Sequence, residues 1–181
     1  MGRRTVDLVD YDPGWPAAFE RERAALAGAL GPTALVIEHI GSTAVPGLVA
    51  KPTIDIAVGV HAIADLLPHR PALEGLGYEW RAGFHADHLF LRKIAGDERT
   101  HHLHVIVWPS DEFEEWIAFR DLLRNEAQAA AEYAAVKREL AARHYNDRGA
   151  YVEAKSGTVR RLLATTTTSS GDVVAEPPPA P

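Results

Sequence analysis

The chain has 181 residues, 46% hydrophobic and 24% charged, the composition of a single soluble domain with a proper core. A net charge of -6 argues against binding nucleic acid through a broad basic surface, and the absence of cysteine excludes disulfides, thiolate zinc sites and cysteine nucleophiles. No apolar run is long enough to span a membrane and "MGRRTVDLVD" lacks the apolar core of a signal peptide, so the expectation is a cytoplasmic protein with neither nucleic acid nor membrane as partner.

Asp12 is placed to cap a helix whose first position is Pro13, with Trp15, Phe19, Ala24, Leu26 and Leu30 at roughly helical spacing and Gly31 as its stop. "TALVIEHI" is β-branched and apolar and ends at Gly41, which predicts a strand running into a tight turn. "TIDIAVGV" is a second strand whose near-continuous apolar character predicts burial on both faces, in a sheet covered by helices. Residues 61–76 read as a helix broken near Pro68 and ended by Gly77. "YEWRAGF" and "DHLFLRKI" alternate like an antiparallel pair. "THHLHVIVWP" is a further strand, closed by Pro109.

From Ser110, a capping residue followed by Asp111 and Glu112, the chain turns helical to about Leu163, with further helices over 129–146 and 150–164. The expected organisation is therefore one α/β domain over 1–163: a mixed sheet with flanking helices and a C-terminal helical layer. Residues 164–181, rich in Thr, Ser and Pro, carry no apolar periodicity and read as a disordered tail.

Chemistry concentrates in "EHIGSTAVPGLVAKPTIDIAVGV", where twelve residues separate Ser42 from Asp55, the one charge set inside an apolar strand. A Gly41-Ser42 turn offers backbone N–H groups and a hydroxyl suited to phosphate, and an aspartate facing it suits a metal that accompanies phosphate. A plain tight turn with a buried, hydrogen-bonded aspartate is the alternative. Lys51, before Pro52 at the mouth of the Asp55 strand, is either an anion-binding ammonium or a solvated loop lysine.

His102 and His104 alternate onto one face of their strand, with His101 and Leu103 on the other. His39, beside the turn, is a lesser candidate. In the helical half, Arg120 with Arg124 and Tyr133 with Lys137 stand one turn apart, and together with Lys155 they form either a cationic wall or a solvated face. Trp80, Trp108, Trp116 and the other aromatics read as core.

"EHIGSTAVPGLVAKPTIDI" closely resembles the signature of the GrpB family of the DNA polymerase β-type nucleotidyltransferase superfamily. "HHLHVIVW", "FRDLLR", "YAAVKREL" and "YVEAKS" resemble its later blocks in the right order, over about residues 5–163. The resemblance implies a nucleotidyltransferase-like fold, with Ile40-Gly41-Ser42 and Asp55 matching the superfamily pattern and Ala57 standing where that pattern has a second acid. If the strand of His102 lies beside that of Asp55, as the superfamily sheet order implies, Asp55, His102 and His104 can meet.

Catalysis is thereby expected from Asp55, His102, His104 and Lys51, and phosphate or cofactor binding from Gly41, Ser42, Lys51, Arg120 and Lys137. Asp55, His102 and His104 are the expected ligands of a divalent metal ion: Mg, Mn or Zn. The implied activity is metal-dependent transfer of a nucleoside monophosphate from a nucleoside triphosphate to a small acceptor. The alternatives are an Asp/His pocket acting on a small polar metabolite without nucleotidyl transfer, and a catalytically silent nucleotide or metabolite sensor.

Overall fold

The computed structural model describes residues 6–80, 87–96 and 98–169. Five strands, β1 (Val36–Ile40), β2 (Ile54–Val60), β3 (Tyr78–Glu79), β4 (His88–Ala95) and β5 (Glu98–Val107), form one sheet in the order β1-β2-β5-β4-β3. Only the β2/β5 pair is parallel; β1/β2, β4/β5 and β3/β4 are antiparallel, so the sheet is mixed as the sequence predicts. Among the described residues no helix is long and apolar enough to cross a membrane.

Alternation along each strand divides the molecule into two layers. Ile54, Ile56, Val58 and Val60 of β2, with Leu103 and Val105 of β5, pack against α1 (Trp15–Leu30) and α2 (Arg70–Gly75). Full burial of a side chain such as Ile56 contributes about 1.5–3 kcal/mol. The stripe of α1 on this core is Trp15, Phe19, Glu22, Leu26 and Leu30. Its one acid is tolerated because Glu22 pairs with Lys93 of β4 at 2.9 Å.

On the other face, Ile40, Ala57, Ile106 and Phe113 form a second core beneath α3 (Asp111–Asn125). A third cluster ties α3, α4 (Ala127–Arg143) and α5 (Arg148–Ser169) to Val45 and Leu48 of the β1–β2 connection. These helices are the C-terminal layer, and α3 begins as expected with Ser110 Oγ accepting from Phe113 N.

Several boundaries differ from the sequence reading. Asp12 does not cap a helix at Pro13: Gly14 is the N-cap, and Asp12 Oδ1 accepts from Gly14 N at 2.7 Å, forming the turn that leads into Trp15. The segment before α2 is a 3-10 helix, Ile63–His69, because Pro68 removes a donor an α-helix requires. Of "YEWRAGF", residues 81–84 lie outside the described residues. Helix α5 passes the expected boundary at 164 and continues to Ser169, since no Gly or Pro interrupts that stretch. The rest of the expected tail, 170–181, lies outside the described residues.

Candidate active site

Strand β1 runs antiparallel to β2 with Ile40 opposite Asp55, which brings the turn after β1 to the end where β2 begins. Gly41 has φ 70°, a left-handed conformation that glycine adopts freely, and a short 3-10 turn over Ser42–Ala44 follows. This chain reversal is why a Gly-Ser turn and an aspartate far apart in sequence share one place in the fold. Parallel pairing of β2 with β5 then sets Asp55 opposite His102 and Ala57 opposite His104.

Asp55 Oδ1 and His102 Nδ1 are 2.8 Å apart, a hydrogen bond in which the imidazole N–H donates to the carboxylate. Burial pushes the Asp55 carboxyl up, but the hydrogen bond from His102 and the electrostatic influence of the neighbouring imidazoles and Lys155 outweigh it and hold the group below its ordinary value. His104 is lowered to about 4, chiefly by burial, and is neutral at pH 7. Its Nδ1 stands 3.4 Å from His88 Nε2, while Phe90 packs between His102 and His104 with ring centroids 5.2 and 5.0 Å away.

The Asp55–His102 pair opens into a two-lobed cleft. The first lobe, about 260 Å³, is polar: Ser42, Thr43, Thr53, Lys51, Lys137 and Lys155 surround the pair. Lys51 Nζ sits 4.4 Å from the centre of the Tyr151 ring, a cation–π contact. Lys137, 2% exposed, donates to the Val49 carbonyl; burial, then the neighbouring Lys155, lowers its amine to about 7. Lys155 moves the other way, raised first by Tyr133 against the opposing effect of burial. The second lobe, about 400 Å³, shares Ser42, Asp55, His104, Val152 and Lys155 with the first and continues beneath Trp116 and Phe119.

His39 is not in the cleft. It stacks on Phe19 at 4.6 Å and its Nε2 lies 3.0 Å from Thr43 Oγ1, which in turn donates to Thr53 O. With the Thr43 proton so used, His39 donates from Nε2, and the chain of bonds clamps the turn to the start of β2. Burial is the main cause that lowers its imidazole to about 4.

Two expectations need correction. The metal centre expected from Asp55, His102 and His104 is not seen as such: among the described residues no group of three or more His, Asp or Glu is placed to hold an ion. Asp55 Oδ1 is taken by His102 Nδ1 and His104 Nδ1 is turned to His88, so these three atoms do not share one ion. Arg120 is not a free anion-binding cation. Its guanidinium donates to Glu38 at 2.6 Å, to the His39 carbonyl at 3.1 Å and to both oxygens of Asp121, which ties α3 to β1. Arg124 likewise donates to the Ala44 carbonyl.

Ala57 stands where the superfamily pattern has a second acid. It is fully buried against Ile40, Ile106 and Phe113, and it pairs with His104 across the β2/β5 ladder. The sequence reading passed over His88, Phe90, Tyr151 and the cleft-facing role of Trp116. The alternation of "DHLFLRKI" already put His88 and Phe90 on one face, but only the β4/β5 register, Phe90 opposite His104, aims that face at the site.

The pattern of the GrpB protein family matches residues 5–165 of this chain. A UPF0157 protein of Halalkalibacterium halodurans is 38% identical over 159 residues, covering 88% of this chain and 81% of that protein. A UPF0157 protein of Pseudomonas aeruginosa is 42% identical over 170 residues, covering 87% of this chain and 66% of that longer one. The crystal structure of the conserved protein GrpB from Enterococcus faecalis superposes with a TM-score of 0.81 at 32% identity, over 91% of this chain and 99% of that one. The likeness to Cid1 poly(U) polymerase with MgGTP bound is much fainter, at TM-score 0.49 and 16% identity over 71% of this chain and 42% of that one. At that level neither substrate nor reaction transfers.

Proposed function

The chain belongs to the GrpB family, and from its cleft we propose an enzyme that binds a phosphorylated small molecule through lysines and moves a proton through Asp55 and His102. The observation that carries this reading is the 2.8 Å Asp55–His102 bond within a lobe that also holds Lys51, Lys137 and Lys155. Asp55 fixes the tautomer in which His102 Nδ1 holds the proton and Nε2 is the base.

Nucleotidyl transfer is the reaction that best joins this pair to the Gly41-Ser42 turn. The acceptor hydroxyl gives its proton to His102 Nε2 as its oxygen attacks the α-phosphorus of a nucleoside triphosphate. The bond from that phosphorus to the bridging oxygen breaks, and pyrophosphate leaves with its charge held by Lys51 and Lys155. No step is assigned to a metal ligated by Asp55, His102 and His104, because that donor set does not converge.

The test is pyrophosphate release from each common nucleoside triphosphate, with and without Mg²⁺, in the presence of pooled small hydroxyl compounds, followed by mass analysis for the nucleotidylated product. His102→Gln is expected to lower release by about 10²–10⁴-fold, the usual contribution of a positioned general base. Absence of any release or product in the wild type contradicts nucleotidyl transfer. The second reading, acid–base chemistry on another small phosphorylated or carboxylated metabolite, is favoured by Ala57: β2 carries Asp55 as its single acid, which serves proton transfer without the carboxylate pair of the superfamily pattern.

A further inference from the structure

The two lobes differ in chemistry, and they meet at the catalytic pair. Lysines, threonines and Ser42 line the first lobe, whereas Trp116, Phe119, Leu123, Tyr133 and Val159 give the second an apolar, aromatic wall. Asp55, His104 and Lys155 border both, so a ligand held across the junction presents its central atoms to Asp55–His102. The volume of the second lobe, about 400 Å³, falls in the ~300–1,000 Å³ range of small-ligand pockets.

We propose that the second lobe is a nucleoside subsite, in which a flat heteroaromatic base packs against Trp116 while the phosphates extend into the lysine lobe. This rests on the phosphate reading above and deepens it by assigning the base to the Trp116 wall of the second lobe. The indole is half-buried and held by contacts with the His104 and His88 rings of the same lobe, at centroid distances of 5.3 and 5.7 Å, so little order has to be imposed on it when a ring packs there. Phe119 is held edge-on to Tyr133 at 5.0 Å and closes the same wall. Aromatic stacking tolerates any base, and the wall as described carries no preference among them.

Calorimetric titration of the wild type with inorganic tripolyphosphate and with ATP, GTP, CTP and UTP separates the two ideas. The expected result is at least one nucleotide bound about tenfold or more tighter than tripolyphosphate, the scale of one base–aromatic stack. Trp116→Leu should bring that nucleotide down to the tripolyphosphate level and leave tripolyphosphate itself unchanged, whereas Trp116→Phe keeps most of the preference. Ser156→Phe, a change at an exposed position on the rim of the lobe, should act like Trp116→Leu and guards against a core variant that fails to fold. Tripolyphosphate binding as tightly as every nucleotide overturns the nucleoside subsite and leaves the phosphate lobe standing, as does a folded Trp116→Leu that keeps the nucleotide preference. Binding of neither class removes the phosphate reading itself, and the subsite with it.

Discussion

Gly41 and Asp55 approach so closely that no side chain fits between them: a Cβ on residue 41 would stand 2.5 Å from Asp55 Oδ2. The glycine is needed twice, for its φ of 70° and for the room it leaves the carboxylate. Gly41→Ala is expected to cost about 1–3 kcal/mol through backbone strain, a fall in melting temperature of several degrees. Because the added methyl group displaces Asp55 from His102, turnover should fall further than stability does. Thermal melts and steady-state rates on the same preparation check this; a variant with wild-type turnover contradicts the packing.

The Asp55 carboxyl lies below its ordinary 3.8 in the folded protein. A lowered folded value means that the stability from its ionised form is complete above pH 3.8 and is lost as the pH falls through the lower folded value. Asp55→Asn should therefore differ from the wild type in stability near neutral pH and converge on it in strong acid. Denaturant titrations at pH 7 and below pH 3 measure the gap; one that stays constant shows that the His102 bond is not what stabilises the charge.

His39 and His104 add a second acid-sensitive window above that of Asp55. Both drop from 6.5 to about 4, chiefly because burial disfavours the imidazolium. Their folded values lie below their unfolded ones, so protons bind the unfolded chain better and stability is lost as pH falls from 6.5 towards 4. Each histidine contributes a slope of up to about 1.4 kcal/mol per pH unit in that window. His39→Gln and His104→Gln should each flatten the pH dependence of stability between 4 and 6.5, and a slope unchanged in both contradicts their burial as neutral groups.

The fold was largely legible because hydrophobic period and turn residues report on local geometry. Continuous apolar residues in "TIDIAVGV" marked a strand covered on both faces, and Ser110 with its acidic turn marked the start of α3. Asp55 and His102 were legible as candidates, since a lone charge in an apolar strand and alternating histidines stand out, but their contact depends on the parallel pairing of β2 with β5. Arg120 was misread because spacing along a helix shows which residues share a face and not what they touch. Its partners Glu38 and the His39 carbonyl come from β1. The end of α5 was misplaced because a run of threonines is weakly helical yet contains nothing that stops a helix.

Lys137 is buried at a cost, with its amine lowered from 10.5 to about 7 by burial, Lys155 and Lys51 against the pull of Asp55. A folded value below the unfolded one destabilises the protein at every pH below 10.5, and most fully below about 7. Lys137→Met, which keeps the volume and removes the charge, is expected to raise the melting temperature by a few degrees at pH 7 while weakening anion binding. A fall in melting temperature instead would mean that its bond to the Val49 carbonyl outweighs the buried charge.

The lysines and the Asp55–His102 pair have separable roles, one binding phosphate and the other handling the proton, and a single comparison tests that division most directly. Nucleoside triphosphate binding is measured by calorimetry for the wild type, Asp55→Asn and Lys155→Met at one fixed salt concentration. Asp55→Asn removes a negative charge facing the phosphates, so it should bind at least as tightly as the wild type while losing turnover. Lys155→Met removes a cation common to both lobes and should bind about tenfold or more weakly. Wild-type protein that binds no nucleoside triphosphate below millimolar concentration, or two variants with the same affinity, would contradict the division of roles.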